Sequence, residues 1–257
     1  MRRTTSEADD PSVLGRIFRV LEAFRADKSA LSLGELVDRT GLPRSTVHRV
    51  ANQLTACRAL DRTDDGFSLG IRLFEMGQLV SHQGMALREV AVPFMEDLYE
   101  STHEIVNLAV LDDLDVVFIE KISGHRRVPI PTRLGTRVRT HCSGLGKALL
   151  AFSDEELWDR VVARGLPPNT PKTIVDGATL RRELRRVRRE RLAVDREEYV
   201  LGVVCVAAPI FRDDRAVAAI SLTGPIERVR PDRIAPAVRT TALGISRMLS
   251  RTRAALN

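Results

Sequence analysis

Apolar positions recur along this chain in two rhythms, one near three and a half residues and one of two, and each change of rhythm marks an element. VLGRIFRVLEAF puts Val13 or Leu14, Ile17, Val20 or Leu21 and Phe24 on one helical face. In the LSLGELVDRTGLPRSTVHRVANQLTACRAL that follows, Ser32 can cap a short helix carrying Leu33, Leu36 and Val37, Gly41 ends it, and Pro43 suits the first position of the next. In that next helix Val47, Val50, Ala51 and Leu54 keep the i, i+3, i+4, i+7 spacing and are predicted to face inward. Arg44, Ser45, His48, Arg49, Asn52 and Gln53 are left outward. ALDRTDDGFSLG then alternates about Asp65-Gly66, a hairpin signal. Helix, short turn, helix and trailing hairpin is the layout of a winged helix-turn-helix. A three-helix bundle that binds nothing would share the helices but not the wing.

Further on, IRLFEMGQLVSHQG, residues 71–84, reads as a joining helix with Ile71, Leu73 and Phe74 apolar. Leu87, Val90, Ala91, Phe94, Met95 and Leu98 mark a second amphipathic helix. EIVNLAVL and DVVFIEKI flank Asp112-Asp113, and VVCVAAPI and AVAAISLTG flank Asp213-Asp214, so each pair reads as a hairpin. Helices are expected from Gly144, from Ser153 with Glu156 completing a capping box, through the arginine-rich run with Leu180, Leu184 and Val187 inward, and from Pro231 with Ile234, Val238, Ile245 and Met248. Strand pairs alternating with helical blocks predict the α+β class: a winged module over residues 11–70, the joining helix over 71–84, and a domain over 85–257 with a mainly antiparallel sheet flanked by helices.

Composition narrows the function. A chain of 257 residues, 44% hydrophobic, suits a small module plus a larger soluble one. No apolar run is long enough to span a bilayer and the start, EADDPSV, has no signal-peptide core, so a cytoplasmic protein without membrane partners is expected. Cys57, Cys142 and Cys205 are too widely spaced for a disulfide framework or a zinc knuckle, and the five histidines form no ligand pair, so neither metal nor other cofactor is expected. Lysine occurs only at positions 28, 121, 147 and 172, so arginine carries the net charge of +6. The run RRELRRVRRERL reads as a solvated helix face. Residues 39–60 matter more, with Arg39, Arg44, Arg49 and Arg58 and no acid, as phosphate contacts require.

RTHCSGLGKALLAF, residues 139–152, holds the candidate chemistry. A phosphate loop needs a glycine where His141 stands and a hydroxyl where Ala148 stands, so a nucleotide site is unsupported. What remains is a tight turn opening a helix whose first N–H groups are available to an anion, with Lys147 expected at the periphery. His141 beside Cys142 raises a cysteine hydrolase, but neighbours on a strand point to opposite faces, and no catalytic residue is assigned. A cysteine-dependent enzyme and an architectural DNA binder stand as the alternatives to a regulator.

TGLPRSTVHRV, GTRVRTHCSGLGKALLA and DREEYVLGVVCVAAPIFRDDRAVAAISLTGP together resemble the IclR family of bacterial transcription regulators, from about Pro11 to Leu256. The resemblance implies a winged helix-turn-helix followed by a GAF-like effector-binding domain. It implies homodimers, often paired into dimers of dimers, on palindromic double-stranded operators near catabolic genes, with repression more frequent than activation. DNA-binding positions are then Arg44, Ser45, Thr46, His48, Arg49 and Gln53, with Arg62 from the wing. For a small organic-acid effector the family's pocket falls on Ser143, Gly144, Leu145 and Gly146, on Asp195 and Cys205, and on Ser221 and Thr223, where the family more often has serine twice. Ser221 and Thr223, two apart, share one face of a strand, and their hydroxyls with the free N–H groups of the helix at Gly144 can hold a carboxylate while Asp195 accepts from elsewhere on the ligand.

Overall fold

Capping residues, glycines and the alternation of burial account for most of the elements in the computed structural model, which describes residues 12–25, 28–79, 82–124 and 130–254, the side chains of 82–86 and 252–254 excepted. The acidic start with Pro11, residues 80 and 81 of the expected joining helix, and the last three residues lie outside the described part. The chain divides into two units, Met1–Met85 and Ala86–Asn257.

The first unit runs α1 (Val13–Glu22), β1 (Ala30–Leu31), α2 (Leu33–Thr40), α3 (Arg44–Ala56), β2 (Leu60–Thr63), β3 (Gly66–Leu69) and α4 (Ile71–Gln78). Ser32 and Glu35 bond each other's backbone amides in a full capping box, and Lys28 Nζ, 2.6 Å from Glu35 Oε1, holds that carboxyl down at about 2. Gly41 closes α2 in the left-handed region at φ 64°, and Pro43 serves as the N-cap of α3, one position before the helix proper. Val47, Val50, Ala51 and Leu54 are buried against Val20, Leu31, Leu36, Leu60 and Phe67. Val13 and Leu14 stay exposed, so α1 turns Ile17, Val20 and Leu21 to this core, followed just past its end by Ala23 and Phe24.

The wing departs from expectation by one residue. Thr63 pairs with Gly66, so the turn is Asp64-Asp65 and not Asp65-Gly66. Gly66 answers to a different constraint. A Cβ there would stand 2.3 Å from the Leu31 carbonyl oxygen, so glycine lets β3 close against β1 in the sheet β1-β3-β2. The helix expected over 71–84 is also shorter, ending at Gln78 beside the weak helix former Gly77.

The second unit contains α5 (His82–Thr102, whose first residues belong to the other unit), β4 (Ile105–Asp112), β5 (Asp115–Ile122), β6 (Arg137–Arg139), α6 (Gly144–Leu150), α7 (Glu155–Ala163), α8 (Gly177–Glu190), β7 (Ala193–Arg196), β8 (Val203–Arg212), β9 (Arg215–Pro225) and α9 (Pro231–Ala254). Six strands in the order β6-β5-β4-β9-β8-β7 form one antiparallel sheet. This is the expected α+β class. Val106, Leu108, Val206, Ile220 and Leu222 face one way, onto Leu87, Ala91 and Met95 of α5 and Val238 and Ile245 of α9. Ala109, Ala207 and Ala219 face the other way, onto Leu145, Ala148 and Leu149 of α6 and a layer with Trp158, Leu180, Leu184 and Val187. Burial on both faces explains the nearly continuous apolar runs of β8 and β9.

Local details correct the reading further. Asp213 and Asp214 both take positive φ, 49° and 60°, which suits the tight β8–β9 turn. In the first hairpin Asp112 pairs with Asp115, so the turn is Asp113-Leu114. Asp154, not Ser153, caps α7: its carboxylate accepts from Leu157 N at 2.8 Å, while the Ser153 hydroxyl is spent on the Leu150 carbonyl. Met248 on α9 is exposed, beyond the buried stripe of Val238, Ile245 and Leu249.

Candidate functional sites

Burial of Val47, Val50, Ala51 and Leu54 turns the opposite side of α3 to solvent, where Arg44, Ser45, His48, Arg49 and Gln53 are exposed and Thr46 is half-buried. The wing is tied to this face. Arg62 of β2 donates to Asn52 Oδ1 at 2.7 Å, with its guanidinium 5.1 Å from the centre of the Phe67 ring. Asn52 Nδ2 in turn lies 3.3 Å from His48 Nε2. Arginine on a wing braced against a polar helix face is an arrangement able to meet phosphates on either side of a groove.

In the second unit, strand register builds the other site. Asp195, Cys205, Thr223 and Ile105 stand opposite one another across β7, β8, β9 and β4, and the next row on the same face holds Ala207, Ser221 and Asn107. Neighbours in such a row lie about 5 Å apart, so their side chains meet. A cavity with about 380 Å³ of empty space, its mouth included, opens over these rows. Asn107, Ser143, Asp195, Ser221, Thr223 and Thr132 supply its polar lining, and Phe118, Ile130, Val138, Leu145, Val200 and Val203 much of the apolar remainder.

Of the eight residues implied by the resemblance, Ser143, Leu145, Asp195, Cys205, Ser221 and Thr223 line this cavity, whereas Gly144 and Gly146 do not. The glycines serve packing. A Cβ on Gly144 would press on Cys205 Sγ at 3.0 Å, and one on Gly146 would collide with the Thr140 carbonyl oxygen at 2.3 Å. The Gly146 amide is already engaged, donating to Ser143 Oγ at 3.1 Å.

Lys147 is not peripheral. It is fully buried, donates to the Val194 carbonyl at 2.7 Å and to Glu198, and lies 3.7 Å from Glu183 Oε1. Burying an ammonium is costly unless acids and carbonyls replace its water, and here both do. Glu198 also donates its amide to Asp195 Oδ1 at 2.7 Å. Burial pushes Asp195 up to about 7, with the Glu198 charge adding to the rise and Lys147 opposing it. The bend after β7 that carries Tyr199 and Val200 into the cavity wall is fastened by Thr170 and Thr173, whose hydroxyls donate to the Glu197 and Glu198 carbonyls at 2.7 and 2.6 Å.

Asn107 escaped the sequence reading. Its signal was a single polar residue inside EIVNLAVL, in register with Ser221, and register is not visible before the sheet is known.

His141 and Cys142 sit in a 3-10 turn, Thr140–Cys142, and not on a strand as expected. His141 Nε2 donates to the Pro167 carbonyl at 3.1 Å and Cys142 donates to the Arg139 carbonyl at 3.5 Å. Burial pushes the Cys142 thiol up to about 12 and the Cys205 thiol up to about 11, which keeps both protonated and poor as nucleophiles.

Comparison with known proteins bears on both sites. Residues 13–64 match the IclR helix-turn-helix domain and residues 80–247 match the C-terminal domain of the bacterial transcriptional regulator IclR. The chain belongs to the IclR family of DNA-binding transcription regulators. It is 34% identical over 243 residues to the HTH-type transcriptional repressor AllR of Escherichia coli strain K12, covering 92% of this chain and 89% of that one. To the transcriptional repressor IclR of the same strain it is 31% identical over 227 residues, 86% and 82% of the two chains. Among solved structures, an IclR homolog from Microbacterium hydrocarbonoxydans complexed with 4-hydroxybenzoate superimposes with a TM-score of 0.85 at 33% identity, over 93% of this chain and 99% of that one. The IclR of Thermotoga maritima does so with a TM-score of 0.74 at 28% identity, over 92% and 98%. As a member of this family the chain is a regulator and not an enzyme. Among the described residues no helix is long and apolar enough to cross a membrane.

Proposed function

We propose that this IclR-family regulator represses a catabolic operon from the cytoplasm, as a homodimer on a palindromic operator, and that a small carboxylate-type effector in the second unit's cavity modulates its operator affinity. One observation carries the effector reading: Ser221 and Thr223 present hydroxyls side by side, across from an Asp195 whose pKa of about 7 leaves it half neutral, inside a cavity that joins these and a few other polar groups to a largely apolar wall. Hydroxyls donate to a carboxylate, and a neutral Asp195 does not repel one. The 4-hydroxybenzoate bound by the Microbacterium homolog supports an aromatic acid, for which Phe118, Ile130, Val138 and Leu145 offer ring contacts. The two repressor relatives support repression over activation.

For the DNA, Arg44, Ser45, Thr46, His48, Arg49 and Gln53 read one half-site and Arg62 holds the flanking backbone. The homodimer reading is supported by apolar surface in the first unit. Val13, Leu14 and Phe18 of α1 are 55, 67 and 59% exposed, and Ile71, Phe74, Met76 and Leu79 at α4 are 55, 62, 57 and 81% exposed. Such patches are what a second copy would cover. Pairing of dimers rests on the family resemblance alone. Effector occupancy then biases two states of the dimer that differ in operator affinity, by no more than the effector's own preference between them.

Footprinting of the full chain on the DNA flanking its own gene, with and without 4-hydroxybenzoate and short-chain, 2-keto and hydroxy acids, tests the proposal. A protected palindrome whose affinity changes with one acid supports it. An acid that raises the melting temperature of the second unit and leaves the footprint unaltered at every concentration refutes the link between cavity and operator.

A further inference from the structure

Asn107 is 3% exposed at the middle of β4, opposite Ser221. Its Nδ2 lies 3.4 Å from Ser221 Oγ and 3.4 Å from Thr223 Oγ1, and those two hydroxyl oxygens are 3.5 Å apart. Its Oδ1 is buried with no partner. An asparagine serving packing alone would have both ends of its amide bonded, and a buried unpaired polar atom calls for an explanation. Turning the amide over would leave two N–H groups unpaired in place of one oxygen, so the orientation with nitrogen toward the hydroxyls leaves fewer bonds unmade.

That orientation has a chemical consequence. An amide nitrogen has two protons to give and accepts none, so each hydroxyl accepts from Asn107 and still has its own proton to give, to the other hydroxyl, to the Cys205 sulfur or to a ligand. The contact between the two hydroxyls is long, 3.5 Å, and a carboxylate can replace it while Asn107 goes on donating to both; without Asn107 that contact would hold one of the two protons. We propose that Asn107 is a positioning residue that sets the polarity of the cavity: by donating to Ser221 and Thr223 it aims both hydroxyl protons at the ligand, so that the cavity selects a carboxylate over an amine of the same shape. This rests on the reading of the cavity as the effector site and adds to it the device by which charge type is chosen.

The test is calorimetric titration of the full chain, as parent, Asn107→Leu and Asn107→Asp, against paired probes. These are 4-hydroxybenzoate, benzoate, pyruvate, lactate and propionate, each beside the primary amine that replaces its carboxylate by a CH₂NH₂ group. The parent is expected to bind at least one acid and not its amine. Asn107→Leu removes the donor at similar size, and acid affinity should fall about tenfold, the worth of one good hydrogen bond, without any amine binding. Asn107→Asp accepts from both hydroxyls and turns their lone pairs to the ligand, so the acid should be lost by about a hundredfold or more and the matching amine gained, a gain that no packing defect produces. Acid binding in both variants equal to the parent overturns the role of Asn107 and leaves the effector site standing. If Asn107→Asp is unfolded, the leucine variant decides, and unchanged acid affinity there overturns the proposal. Both variants unfolded overturns it too, since the role is then structural. A parent that binds no acid of the panel overturns the effector reading and this inference with it.

Discussion

Lys147 Nζ lies 2.7 Å from the carbonyl of Val194, the residue before Asp195, and binds the Glu198 carboxylate with its remaining protons. The lysine of α6 thereby fastens β7 and the bend after it, which carry Asp195, Tyr199 and Val200, to the helix capped by Ser143. Lys147→Met would leave Glu198 buried without its cation, a loss of about 3 kcal/mol or more. Lys147→Met with Glu198→Gln removes the charge as well and should cost clearly less than the sum of the two single changes. Trp158, the only tryptophan and buried in the second unit, gives a fluorescence signal for urea unfolding of that unit. Additive costs would show that the pair is not coupled.

Asp195 makes both stability and effector binding depend on pH. Its folded pKa, about 7, lies above the ordinary aspartate value, so folding favours the protonated form. The contribution is fully present below about pH 4 and is lost as pH rises through about 7, with an upper bound of about 4 kcal/mol over the whole range. Asp195→Asn keeps an oxygen for the Glu198 amide and carries no charge, so it should be more stable than the parent at pH 8 and equal to it near pH 4. Acid effectors should bind the parent about tenfold more weakly at pH 8 than at pH 6, because the ionised Asp195 repels them, and Asp195→Asn should abolish that dependence. Titration calorimetry at pH 6, 7 and 8 reads this directly, and a flat profile in the parent places Asp195 away from the bound charge.

Periodicity made the first unit legible because α3 exposes one face and buries the other, so each apolar residue at helical spacing carried information. The same was true of the β8–β9 hairpin, where Asp213-Asp214 announced the turn between two apolar runs. What stayed hidden depended on partners distant in sequence. Lys147 looked like a surface lysine until Glu198, 51 residues on, was seen beside it, and Asn107 looked like an interruption until β9 supplied Ser221 at its side. Ser153 and Asp154 are adjacent and both able to cap, and only the position of the Leu157 amide chooses between them. Gly66 was read as a turn residue because its true constraint, the Leu31 carbonyl, lies 35 residues earlier.

Two glycines separate close packing from mere tolerance. Gly146→Ala would place a methyl group 2.3 Å from the Thr140 carbonyl oxygen and force apart the 3-10 turn and α6, at a cost of about 3 kcal/mol. Effector binding should fall with it although Gly146 does not line the cavity, since Ser143 is capped onto the Gly146 amide. Gly77, inside α4, has nothing within 4 Å of an added Cβ, and Gly77→Ala should stabilise the first unit by about 0.5–1 kcal/mol. Trp158 fluorescence for the first and helical circular dichroism of residues 1–85 for the second provide the measurements. A Gly146→Ala protein with parental stability and ligand binding would show that the turn has room this packing denies.

On operator DNA, Arg44, Arg49 and Arg62 should differ in kind. A dimer making about 6–10 phosphate contacts loses on the order of 10³-fold in affinity or more between 50 and 200 mM salt. An arginine that touches a phosphate in each protomer accounts for two of those contacts, so its replacement by alanine should flatten the slope of log affinity against log salt by about 1.8. An arginine on a base edge should instead weaken the true operator by about 1–3 kcal/mol for each half-site while leaving the salt slope and the affinity for unrelated DNA nearly unchanged. Arg62, braced on Asn52 and stacked on Phe67 beside the helix face, is placed to act through the backbone, and Arg62→Ala should show the flattened slope. Arg44 and Arg49, exposed on α3, should between them show at least one base-specific loss. Fluorescence anisotropy with the operator and a scrambled duplex at three salt concentrations separates these outcomes, with Arg191→Ala in the second unit as the control that should change neither. If Arg44→Ala and Arg49→Ala both match the parent on both duplexes, α3 does not enter the groove and the DNA-reading surface lies elsewhere on the winged unit.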